Sequence, residues 1–110
     1  SLSHRHFTTE PDDPEDPAFE HIHNRNQALW DERVLGHMKM GDCATLLAEM
    51  PDFIDQAVSE CAEGSLTWLL GALGIPDWPA TVHGYGTVIG TGNAVVEWEP
   101  GPPTAVEGRP

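Results

Sequence analysis

The chain has 110 residues, 39% of them apolar, and five basic against eighteen acidic side chains give a formal net charge of −13. That balance excludes nucleic acid or an anionic membrane surface as partner, because each needs a Lys/Arg face to displace counterions. No apolar run reaches the roughly 20 residues of a membrane helix, and Cys43 and Cys61 make neither a C-x-x-C pair nor a disulfide framework. The expectation is one cytoplasmic, reduced domain or a piece of one. The opening Ser1-Leu2-Ser3-His4, without Met or a secretion signal, favours the piece.

Residues 8 to 25 form an acidic, proline-rich stretch with Pro11, Pro14 and Pro17 among the carboxylates. Proline removes backbone donors and the like charges repel, so an extended surface loop is expected. The prolines also interrupt the D-x-D-x-D-G spacing of a calcium loop. From Asn26 the spacing of Leu29, Trp30, Val34, Leu35 and Met38 predicts a helix, with Asp31, Glu32 and Lys39 on its polar side. Asn24 or Asn26 caps its start and Gly41 ends it.

Asp42 reads as the N-cap of a short second helix carrying Leu46, Leu47 and Met50. Pro51 then suits the first turn of a third, with Phe53, Ile54, Ala57, Val58 and Cys61 inward. Ser65 caps a fourth helix, Leu66 to Leu73, which is apolar nearly all round and should be buried on several sides. After Pro79 the composition turns to β, in the runs 81–83, 87–89 and 94–98, with glycines that bar long uniform strands. Helices followed by glycine-bent strands make an α/β architecture, and an incomplete one, since so few strands cannot cover the apolar helix.

Six histidines raise the question of a metal. The pairs His4/His6 and His21/His23 have the i, i+2 spacing that puts both rings on one face of a strand, a chelating arrangement in principle. Isolated pairs of this kind are unspecific, and a surface reading is preferred. The glycines from Gly84 to Gly92 fail as a phosphate loop, because Ile89 stands where G-x-G-x-x-G needs its third glycine. Ser65 lacks the G-x-S-x-G frame of a nucleophile elbow.

Several short motifs nonetheless fall in one order. They are Leu2-Ser3-His4, the Asn26 to Asp31 helix start, Gly41, Thr67-Trp68, Gly71 to Gly74, Tyr85, Gly90-Thr91-Gly92 and Trp98-Glu99-Pro100. Together they resemble the class III (LigB-type) extradiol ring-cleaving dioxygenases, the family of protocatechuate 4,5-dioxygenase β subunits. The resemblance implies that residues 1–100 are the C-terminal part of one such α/β domain and that 101–110 are a flexible tail.

It further implies one non-haem Fe(II) held by two histidines and one glutamate, with the two histidines in an N-terminal half that lies outside this chain. Such an open triad leaves positions for a catecholic substrate and O2. His4, the histidine of the Leu-Ser-His motif, would be the acid–base group, a role suited to an imidazole. At the ligand position the chain has Gly64, so Glu63, one residue earlier, is the metal-ligand candidate, with Glu60 second to it. Tyr85 and His83 are candidate substrate contacts, and an oligomer is expected. Two other readings stand beside this one, a homologous subunit that lacks iron and an acidic protein-interaction module.

Overall fold

The computed structural model describes residues 1–5 and 21–99. His6, most of the acidic loop and the tail 101–110 lie outside the described residues. Helix α1 spans Arg25–Lys39, α2 Cys43–Ala57 and α3 Gly64–Ala72, and a 3-10 turn, Glu60–Glu63, precedes α3. Strands β1 (Ala80–Val88) and β2 (Thr91–Trp98) form an antiparallel hairpin. This is the mixed α/β arrangement expected. None of these helices is long and apolar enough to cross a membrane.

Helix α1 starts where Asn24 accepts a hydrogen bond from the Gln27 amide, and the chain leaves it at Gly41 in a left-handed conformation (φ 72°). A side chain at Gly41 would strike the Asp77 carbonyl, so glycine is required there for two reasons. The buried face of α1 differs from the one expected. Gln27, Asp31, Val34, Leu35 and Met38 are buried, whereas Leu29 is 47% exposed. Gln27 and Asp31 share the four-residue phase of Leu35, and Leu29 does not.

The second and third helices of the sequence reading are one helix. α2 runs unbroken through Pro51, and Cys43, Leu46, Met50, Phe53 and Ala57 line a single buried stripe. An internal proline costs about 3 kcal/mol, but full burial of each large side chain on that stripe contributes about 1.5–3 kcal/mol. Packing therefore overrides the break. Asp42 caps the start by accepting from the Thr45 amide, as expected. Phe53 is fully buried and faces Trp30 at a 6.2 Å centroid separation.

The two helices are also joined outside the core. Arg33 lies over the Trp30 ring and pairs with Glu49, which accepts from His37 as well. These bonds, led by that from Arg33, hold the Glu49 carboxyl down at about 2. The pair sits at the surface, so its effect on stability is small and screened by salt.

α3 begins at Gly64 with Glu63, not Ser65, at its N-cap. Of its residues only Leu70 is fully buried, and Trp68 is 74% exposed. The expectation of burial on several sides is thus corrected, because among the described residues no sheet lies over that face. In the hairpin, β1 is one nine-residue strand that passes through Gly84 and Gly86. Its bend is a bulge at His83, where the register steps from Val82↔Val96 to Gly84↔Val95. Ile89 and Gly90, both at positive φ (46° and 88°), close the hairpin in two residues. That is the geometry which matches strand twist.

Candidate functional site

The N-terminal segment carrying His4 has no helix or sheet of its own, so its backbone groups need partners elsewhere. The hairpin supplies some of them. The Leu2 amide donates to the Gly92 carbonyl (2.8 Å), and the Gly92 amide donates to Ser3 (3.0 Å). The end of α2 supplies another, the His4 amide donating to the Val58 carbonyl at 2.8 Å. Ser3 and Ser59 form an isolated antiparallel bridge. The Leu-Ser-His motif is therefore stitched between two elements far away in sequence.

The fourth attachment is a carboxylate. Asp31, in the middle of α1 and fully buried, accepts from the Ser3 amide (2.9 Å), the Ser3 hydroxyl (2.7 Å) and the Tyr85 hydroxyl (2.5 Å). A buried carboxylate without such donors would be strongly disfavoured. Burial still raises the Asp31 pKa, and the bonds from Tyr85 and Ser3 offset only part of that. Burial and the neighbouring Asp31 likewise push the Tyr85 phenol upward. The arrangement leaves no room at Gly92, where a Cβ would collide with Asp31 Oδ2 and the Tyr85 oxygen. Gly92→Ala is expected to destabilise the protein by about 1–3 kcal/mol, the cost of overpacking, read as a lower urea midpoint with an unchanged m-value.

A second set of side chains positions the turn after α2. Gln27 Nε2 donates to the Ala57 carbonyl (2.7 Å), Asn26 Nδ2 donates to the Gln56 carbonyl (3.3 Å), and Trp30 Nε1 reaches the Gln56 side chain (3.1 Å). The first two satisfy carbonyls that a helix end leaves open. Beyond them the backbone turns left-handed at Val58 (φ 51°), Cys61 (46°), Ala62 (53°) and Glu63 (49°). Each such non-glycine residue costs about 1–2 kcal/mol, and clusters of this strain persist where surrounding contacts over-determine them, characteristically at functional sites.

At the end of that turn Glu63 is 5% exposed and lines a cavity of about 230 Å³ together with Ser1, Leu2, Met38 and Trp98. His4 is half-buried. The structure thus sets the His4 backbone against Val58, five residues before Glu63, and places Leu2 and Glu63 on one cavity. The side chain of Glu60 lies outside the described residues. Tyr85 donates to Asp31, and His83 lies at the exposed bulge with Nε2 2.8 Å from Glu97 Oε1. Among the described residues no group of three or more His, Cys, Asp or Glu is placed to hold a metal. A complete metal shell would need ligands from beyond them.

Asp31, Ser3 and Gln27 were missed as site residues in the sequence. The signal that finds the first and last is their phase with Leu35, while nothing local marks Ser3 beyond its place in the motif.

No family model matches the chain. Similarity to curated proteins agrees with the motifs: the curated homologues of the chain are subunits of 2-aminophenol 1,6-dioxygenase, a class III, LigB-type extradiol dioxygenase. It is 46% identical over 98 residues to the 2-aminophenol 1,6-dioxygenase beta subunit of Pseudomonas sp, covering 89% of this chain and 32% of that protein. It is also 33% identical over 83 residues to the alpha subunit of 2-aminophenol 1,6-dioxygenase from Pseudomonas sp, covering 76% of this chain and 31% of that one. The chain spans about a third of the length of these curated relatives.

Proposed function

We propose that this chain is part of a catalytic subunit that opens an aromatic ring with O2 by extradiol cleavage, as a non-haem Fe(II) enzyme assembled from more than one subunit. The substrate class is a ring with two adjacent donor groups, a catechol or an aminophenol. The observation that carries the reading is the stitching of the Leu-Ser-His motif to Val58 and Ser59, which sets His4 beside the strained turn that ends at Glu63. In an extended segment Leu2 and His4 share the face opposite Ser3, and Leu2 and Glu63 line the same cavity.

The residues fit a shared metal site rather than a complete one. Glu63 offers one buried carboxylate at the end of a left-handed turn, a hard oxygen donor suited to Fe(II), and two histidines would come from beyond this chain. Fe(II) held there would supply a centre able to bind the substrate's adjacent donors together with O2. His4 accepts the proton that leaves the substrate hydroxyl and returns it as the ring opens. The C–C bond beside the hydroxyl-bearing carbon breaks and both atoms of O2 enter the product. Contacts of Tyr85 and His83 with substrate are part of this proposal, and each requires exchange of its present partner, Asp31 or Glu97.

The test is anaerobic loading of the complete protein with Fe(II), followed by catechol or 2-aminophenol and air. Uptake of one O2 per substrate with a ring-opened product is the expected result. No uptake with either compound, in protein shown to hold iron, overturns the reading. Gly64 at the expected ligand position favours a second reading, a homologous subunit without iron. Protein that is folded and takes up no Fe(II) would establish it.

A further inference from the structure

We propose that Asp31 is the positioning residue for His4, fixing the acid–base segment in place through Ser3 while Tyr85 ties the same carboxylate to the hairpin. The inference rests on the reading of His4 as the acid–base group. Ser3 is fully buried and gives Asp31 both of its donors, the amide and the hydroxyl, in a two-point grip that fixes orientation as well as distance. The hydrogen bonds of Leu2 and Ser3 with Gly92 and of His4 with Val58 hold the backbone on either side. Without the carboxylate, the segment keeps its attachments to β2 and α2 but loses the one that fixes Ser3 sideways. His4 is the next residue, so a small rotation at Ser3 is passed on to its imidazole.

Three features argue that this is more than core filling. A leucine would fill such a position on α1 at no desolvation cost, yet the helix buries a charge-bearing group there. The carboxylate spends its bonds on the motif segment and the hairpin, not on its own helix. Gly92 is bare because any larger residue would occupy the space that Asp31 and Tyr85 share. Helix, hairpin and N-terminal segment thus meet at one carboxylate beside the segment that carries the chemistry.

Asp31→Asn is the variant of choice. It keeps the shape and an acceptor for the Ser3 amide, and the hydroxyls of Ser3 and Tyr85 can turn to accept from the new amide, so the core is retained while the charge that strengthens the two-point grip is removed. In the complete iron-loaded protein, with 2-aminophenol and with catechol as probes, kcat is expected to fall about 10- to 100-fold with KM within about two-fold. Iron content and thermal midpoint are expected to stay at wild-type values. In the iron-free protein, amide hydrogen exchange at Ser3 and His4 is expected to quicken about ten-fold, with the middle of α2 unchanged. Should Asp31→Asn not fold, Ser3→Ala, which removes one hydroxyl and keeps the amide bond, tests the same link with a smaller loss.

The decisive comparison is made in a His4→Gln background. There neither variant is expected to lower the residual rate further, because the group being positioned is gone. Equal losses in both backgrounds, a rise in KM at constant kcat, or iron lost in step with activity would overturn the inference and leave the acid–base reading standing. A His4→Gln protein with full kcat would remove both, so the two failures are distinguishable.

Discussion

On the proposed function, His4→Gln in the complete, iron-loaded protein is expected to lower kcat about 10²- to 10⁴-fold, the range for loss of a positioned general acid–base group, with iron content unchanged. Glutamine keeps much of the imidazole's size and its capacity to hydrogen-bond but cannot exchange a proton near neutral pH. The structure suits such a substitution, since bonds from the backbone of Leu2, Ser3 and His4 and from the hydroxyls of Ser1 and Ser3 hold this segment and do not involve the imidazole. Oxygen uptake at saturating 2-aminophenol measures the loss. A variant as active as the wild type would mean that the proton is carried by another group.

The second large effect concerns the turn before α3. Glu63→Gln is expected to weaken Fe(II) binding by at least about ten-fold, read as metal content after equilibration with a competing chelator. The amide removes the charge that attracts the cation and leaves the volume, the buried position and the backbone conformation in place. Glu60→Gln, the matched control in the same turn, is expected to keep its iron. If instead Glu60→Gln loses iron and Glu63→Gln keeps it, the assignment within the turn is wrong, and if both keep it the turn donates no carboxylate ligand. Because the readout is metal content, the result does not depend on knowing the substrate.

The elements were legible where local chemistry marks them. Asn24 and Asp42 cap helices because their short side chains reach the open amides of the first turn, and Gly41 ends α1 because it accepts positive φ. Pro51 misled for the opposite reason. Its local rule is strong, but the stripe from Cys43 to Ala57 continues in phase on both sides of it, and core packing carries the helix through. The glycines predict short separate runs, whereas pairing with β2 holds β1 extended across Gly84 and Gly86 and confines the irregularity to His83.

Composition and motif order by themselves argue against a polyanionic partner and point to the dioxygenase resemblance, because both depend only on which residues are present and in what order. His4 and Glu63 entered as site candidates only through what that resemblance implies. The fold alone decided that a carboxylate on the assumed polar side of α1 is buried against the N-terminal segment, and that the His4 backbone meets the end of α2. Those contacts join residues 28 to 54 positions apart in the chain. Hydrophobic periodicity reports only which face of one element turns inward, and the partner awaiting a polar group there is set by how separate elements pack.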